Sequence, residues 1–312
     1  MIDKNIREIE ERYACIIPDT RVKIWNIELE MWKVFDEICQ RYHLTYYFLF
    51  GNLIGAVRHQ GFVPWDDDID VVMPRNDYDQ FALIAQKELG YPYYVETAYN
   101  HEENHYMFMR IINENTTCIH PDGMEKNHQG LRLDITPLDG IPNDKKLRKQ
   151  QFFQHEFLMS ISRVYQIEYG KLKNRARILK LFSHIFFMCI PYRTLGRRLE
   201  KIRSRYSWDE CEEVGDLIHG LRFKKEDFSE IVYLDFEGYK IPAPSGYERI
   251  LKEMYGNYMT LPPKNMRILS EAEVKGWILE PDISFREYLN ITKAKSASTK
   301  GGRKKLYHKY CD

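Results

Sequence analysis

The chain has 312 residues, 44% of them hydrophobic, and its 46 Lys and Arg are balanced by 46 Asp and Glu. That length suits one large domain, or a core with a smaller appendage, and leaves enough apolar residues for a sizeable interior. A formal net charge of zero provides no global field to hold a nucleic acid, so none is expected as a partner and any steering must be local. Six scattered cysteines without a C-x-x-C pair, and a first segment without a secretory pattern, point to reduced thiols in the cytoplasm rather than to disulfides or structural zinc.

The spacing predicts a helix over IREIEERYACII as far as Pro18. A second, core-packing helix follows over VKIWNIELEMWKVFDEICQRYHL, where Val22, Trp25, Leu29, Trp32, Phe35 and Ile38 share a face. The aromatic run YYFLF reads as a strand ended by Gly51, and NLIGAVR as a short helix capped by Asn52. After a loop punctuated by Gly61 and Pro64, IDVVMP is a strand stopped by Pro74, and RNDYDQFALIAQKEL a helix opening on Asn76 or Asp77.

YYVET, HYMFMRII and TTCIH supply further strands, and GLRLDITPLDG a strand that carries Asp134. The irregular alternation predicts an α+β core, α/β-like in places, over residues 1–142: a mixed sheet flanked by helices. Residues 143–235 are expected to form an inserted helical subdomain facing the acceptor or a membrane. Residues 236–290 form a C-terminal part packing on the core, and 291–312 a loose basic tail.

The longest apolar run, Ile178 to Ile190, is shorter than the roughly 20 residues that span a bilayer. Basic residues from Arg175 to Arg205 flank it. This pattern fits a helix lying in a membrane interface, and equally a buried helix followed by a solvated basic one.

Four carboxylates, Asp66, Asp67, Asp68 and Asp70, fall within five residues at the start of the IDVVMP strand. In a strand Asp68 and Asp70 project to one side while Ile69 points to the other. Two carboxylates at i and i+2 repel, and a multiply charged cation is the usual way to make that arrangement favourable. Magnesium fits, as a hard ion held by carboxylates, waters and substrate phosphates. A calcium loop of the EF-hand type is excluded, because Val71 stands where it needs Gly and Asp77 where it needs Glu. A solvated acidic loop does not explain the interleaved Ile69, Val71 and Val72, and helix capping accounts for one aspartate only. Asp134, within the alternation Leu131, Leu133, Ile135, is the natural third ligand or the general base.

GNLIGAVRHQGFVPWDDDIDVVMPRNDYDQF, followed by NHQGLRLDITPLDGIP and later by YGNYMTLPPKNMR, closely resembles the blocks of the LicD family, which includes the fukutin-like proteins. The resemblance spans about residues 25–142 and 240–267, and departs from many relatives at Asn52, where they have Thr or Ser. It implies a nucleotidyltransferase-type sheet core. It also implies metal-dependent transfer of a phosphocholine-type head group from a CDP-linked donor, such as CDP-choline, to a sugar hydroxyl, with release of CMP. The acceptor would be a cell-surface glycan such as teichoic acid, lipopolysaccharide or capsule, or its lipid-linked precursor. Two alternatives stand beside it: a nucleotidyltransferase that moves NMP from an NTP, and a non-catalytic glycan- or partner-binding member.

On this resemblance Asp68, Asp70 and Asp134 hold Mg2+, with Mn2+ as the substitute ion, and Asp134 is the third ligand or the base. Gly51, Asn52, Arg58, His59 and Arg110 are the candidates for the donor's phosphates. Trp65, Asp66, Asp67, Gln129, Asp139 and Arg267 are candidates for substrate or outer-sphere contacts, with Trp65 equally suited to wedging its loop and Asp139 to fixing its turn. The enzyme is expected in the cytoplasm, peripheral at the inner face of the plasma membrane.

Overall fold

The computed structural model describes residues 6–97, 107–119, 128–166, 192–268, 270 and 276–298. Helix α1 covers Ile6–Tyr13 and α2 covers Asp19–Tyr42. Pro18 stands at the α2 N-cap, where its missing N–H removes no helical bond. His43 closes the helix in the left-handed region at φ 55°, its N–H returned to the carbonyls of Cys39 and Gln40. Trp25, Leu29, Trp32, Phe35 and Ile38 are each at most 3% exposed. Burial of each such side chain stabilises by about 1.5–3 kcal/mol, far more than helix propensity supplies.

These side chains lie against a mixed sheet. The first half of the chain contributes β1 (Tyr47–Phe48), β2 (Ile69–Pro74), β3 (Tyr93–Glu96), β4 (Met109–Asn113), β5 (Thr117–Ile119) and β6 (Leu131–Ile141). The sheet order is β1-β2-β6-β4-β3; β2 and β6 are parallel and the other neighbours in this row are antiparallel. Helices α3 (Phe50–His59) and α4 (Arg75–Leu89) flank β2 in sequence. One face of the sheet, with Ile69, Val71, Met73, Leu133 and Ile135, packs on α2 and on Tyr78, Phe81 and Ala85 of α4. A second apolar cluster joins Leu49, Leu53 and Ile54 to Val72, Leu138 and Val214. The architecture is α+β, as expected.

Three details differ from the sequence reading. The aromatic run forms a strand of only two residues, because α3 already begins at Phe50 with Leu49 as its N-cap. Asn52 therefore lies inside the first helical turn and caps nothing.

The stretch 143–235, expected as helical, holds α5 (Lys145–Gln166) and α6 (Tyr192–Arg203) and then three strands: β7 (Glu213–Asp216), β8 (Leu221–Lys224) and β9 (Ile231–Phe236). β7 and β8 are too short and too polar to show an apolar period, and tertiary pairing makes them strands. β7 pairs with the end of β6, Asp139 opposite Gly215, so this stretch returns to the core sheet.

β10 (Tyr239–Pro244) completes a hairpin with β9, and α7 (Tyr247–Tyr255) follows. β11 (Ile278–Glu280) pairs with β5 before α8 (Phe285–Ser298), which extends into the stretch expected to be loose from residue 291. The apolar run 178–190 and residues 299–312 lie outside the described residues.

Candidate active site

Parallel pairing of β2 with β6 sets Asp70 opposite Asp134. Cross-strand partners project to the same face, so the two carboxylates meet on the side of the sheet away from α2's apolar stripe. Asp68 precedes β2, and Asn52 fixes its backbone: the amide Nδ2 donates to the Asp68 carbonyl at 2.8 Å, and Oδ1 accepts the Asp70 N–H at 2.7 Å. Asn52 is 2% exposed. Its side chain is engaged on the aspartate strand as a clamp. A Cβ at Gly51 would stand 2.2 Å from Asp66 Oδ2, so a side chain there would turn the Asp66 carboxylate away.

Asp68, Asp70 and Asp134 line a cavity of ≈ 240 Å³ together with Glu28 and Asp67. Arg132, Thr136, Phe108, His219 and Trp277 share the lining. Arg132 reaches Asp134 Oδ1 at 3.5 Å and stacks over the Trp277 ring at 4.4 Å. Asp67 Oδ2 accepts the Ser270 hydroxyl at 2.6 Å, and the Asp66 carbonyl accepts Trp25 Nε1 at 2.7 Å.

Burial lifts Asp68 well above the usual carboxylate range, and the charges of Asp70, Asp66 and Asp67 lift it further. The same two effects, with Asp134 the strongest of the charges, push Asp70 up to about 8. Glu28 is raised by burial against the pull of Arg132. Burial works against protonation of His219, but its bond to Asp216 and the charges of Asp216, Asp70 and Asp134 outweigh that and leave it above its ordinary value.

Five carboxylates share this lining with one guanidinium and one imidazole, so neutralising charge is short. Asp134 Oδ1 and Glu28 Oε2 are buried without a hydrogen-bond partner. Carboxylate oxygens without a hydrogen bond in an acidic cleft suit a hard divalent cation, and the donor set contains only carboxylate oxygens at the expected positions. The tightest acidic group among the described residues is Asp66, Asp67 and Asp68, with one oxygen of each within 4.8 Å of the others. The triad expected from sequence overlaps this group through Asp68, while Asp70 and Asp134 lie on β2 and β6 and line the same cavity.

The other expected contacts disperse. Arg58 donates to the Tyr258 carbonyl at 2.6 Å and to His59 Nε2 at 2.8 Å, and lies 5.9 Å over the Trp65 ring. It ties α3 to the segment after α7. His59 lines a separate cavity of ≈ 370 Å³ with Tyr13 and Glu237. Arg110 stands opposite Asp134 in the register, yet its guanidinium is buried against Glu96, with Nε 2.8 Å from Oε2.

Gln129 accepts the Cys118 N–H through its backbone. Arg267 bonds the carbonyls of Pro262 and Tyr13 at 2.6 and 2.9 Å, which closes the C-terminal block on α1. Asp139, fully buried on β6, is forked by Arg75 at 2.6 and 2.9 Å. Arg75 also bonds Glu200 at 2.6 Å, and Glu200 bonds Arg203 at 2.7 Å.

Glu28, Arg132, Thr136 and His219 were not anticipated. Three had a signal: Glu28 falls in the three-and-four spacing of Trp25, Trp32 and Phe35, and Arg132 and Thr136 lie two residues either side of Asp134, hence on its face.

Residues 43–171 match the family profile described as LicD/FKTN/FKRP, nucleotidyltransferase domain. The chain is 30% identical over 252 residues to the lipopolysaccharide cholinephosphotransferase LicD of Haemophilus influenzae, covering 76% of this chain and 90% of that protein. Uncharacterised proteins of Rickettsia prowazekii and Rickettsia typhi are 36% and 34% identical over 93 and 95 residues, covering 27% and 28% of this chain and 35% and 30% of their own lengths. Fold, carboxylate cavity and these likenesses define an enzyme of the phosphotransferase class. The chain belongs to the LicD family.

Proposed function

We propose that this enzyme transfers a phospho-alcohol head group of the phosphocholine type from a CDP-linked donor to a glycan hydroxyl, releasing CMP, with a divalent cation at the carboxylate cavity. The observation that carries this reading is the parallel register that sets Asp70 opposite Asp134 in a buried, charge-deficient cavity. The named activity of the Haemophilus protein supports a lipopolysaccharide-type glycan as the first acceptor to try.

Asp68, Asp70 and Asp134 would hold Mg2+ or Mn2+. When bound, such an ion neutralises the donor's pyrophosphate and the charge that develops as CMP leaves. The chain's own residues do the rest. Asn52 keeps the aspartate strand in register, and Arg132, the guanidinium in the lining, is placed for phosphate oxygens. Phe108 and Trp277 wall the cavity and limit water.

Among the described residues no helix is long and apolar enough to cross a membrane. The exposed Arg197, Arg198 and Lys201 on α6 support peripheral contact with anionic lipid, which co-sedimentation with anionic vesicles tests.

The deciding experiment offers a series of CDP-alcohols with lipopolysaccharide or other glycan acceptors, with and without magnesium, and measures CMP. Metal-dependent CMP release with labelled glycan is expected. Pyrophosphate released from an NTP instead would overturn the reading.

A further inference from the structure

Asp216 ends β7 and is fully buried. Its Oδ1 accepts the N–H groups of Ile218 and His219 at 2.8 and 3.2 Å, and its Oδ2 lies 2.6 Å from His219 Nδ1. A carboxylate has no proton to donate, so Nδ1 carries the hydrogen and the neutral ring keeps its lone pair on Nε2. Phe50 and Phe108 flank the ring, with centroids 5.1 and 6.4 Å away.

The placement follows from topology. β7 is antiparallel to β6 with Gly215 paired to Asp139, so its last residue, Asp216, points the chain towards the Thr136 and Asp134 end of β6. Leu221 of β8 already stands opposite Asp216, so residues 217–220 form the hairpin turn at that end, and His219 on it lines the carboxylate cavity. The two backbone bonds would suffice to make a turn; the third bond fixes the imidazole.

We propose that His219 Nε2 takes the proton of the acceptor hydroxyl and that Asp216 is the residue that positions the ring, a role that rests on the CDP-alcohol reading above. Carboxylates engaged on a cation are weak proton acceptors, which leaves imidazole as the group suited to the task. As the hydroxyl oxygen bonds to the β-phosphorus, its proton passes to Nε2. The bond from that phosphorus to the bridging oxygen breaks, and its electron pair departs with CMP. Asp134 is then a ligand rather than the base.

His219→Asn is the informative variant, because its amide N–H replaces Nδ1 and keeps the bond to Asp216 while Nε2 is lost. The kcat for transfer is expected to fall at least about 100-fold, with KM for CDP-choline and the melting temperature unchanged. Added imidazole is expected to restore part of the rate in His219→Gly. Wild-type kcat in His219→Asn overturns the proposal. So does a parallel loss of donor affinity and melting temperature that imidazole leaves unrepaired, which assigns His219 to the turn alone. A wild-type enzyme that releases no CMP from any CDP-alcohol overturns the underlying reading instead, whatever the variants do.

Discussion

Two buried groups of charges lie along β6, and they are built on opposite terms. Around Asp139 two guanidiniums meet two carboxylates: Arg75 holds Asp139 and Glu200, and Arg203 holds Glu200 and donates to His155 Nε2 at 3.1 Å. Burial raises Glu200, yet the two guanidiniums outweigh it and leave it below its ordinary value. Burial keeps Asp139 above its own, with Arg75 pulling it down. Around Asp134 five carboxylates line a cavity with Arg132 as the guanidinium among them. The first group is complete within the chain and belongs to the scaffold; the second is in deficit and is completed by what enters.

The contrast is most exposed to Arg75→Met. This change leaves two carboxylates buried without their shared partner, and a loss of about 3–5 kcal/mol is expected in urea unfolding. Unchanged stability would break the comparison on the scaffold side.

Asp70→Asn should do the reverse. Turnover is expected to fall by more than the roughly 100-fold that loss of a metal's outer partner costs. Melting temperature without metal should hold or rise, since a repelling charge has gone, and a clear drop in it would count against a deficit.

Asn52→Ala sharpens the boundary between the two kinds of group. It strips the clamp from the Asp68 carbonyl and the Asp70 N–H, at about 1–3 kcal/mol in unfolding, with about tenfold weaker magnesium binding by calorimetry.

The smallest effect is in pH. Asp70 titrates at about 8 in the folded chain against an ordinary 3.8, so folding favours its protonated form. Its contribution to stability is fully present below about pH 4 and is lost as pH rises through about 8. On the proposed metal reading, magnesium would replace those protons. The rise in melting temperature that it brings should therefore be larger near pH 8 than near pH 6, and equal rises would contradict the assignment.

The acidic cluster and the strands that carry Asp70 and Asp134 were legible because each rests on local alternation and a family-specific block; the sheet order that pairs those strands was not. Asn52 was misplaced by its position after a strand, which suggests a cap; only the approach of β2 shows what its amide holds. Arg58 and Arg110 were legible as cations but not as engaged ones, since their partners, Tyr258 and Glu96, lie elsewhere in the chain. His219 was invisible because the two short strands around it have no apolar period, and it is the pairing of β7 with β6 that gives Asp-x-x-His a destination.

Asp134 and Asp139 are five residues apart on one strand, roughly 17 Å along it, and an odd separation turns them to opposite faces. The charges that act on Asp139 are those of Arg75, Glu200 and Arg203, while Asp70 answers to Asp134, Asp66, His219 and Arg132. β6 thus works as an insulated conductor's sleeve does. A change of charge beside Asp134 is thereby kept apart from the ion lattice that holds the helices in place.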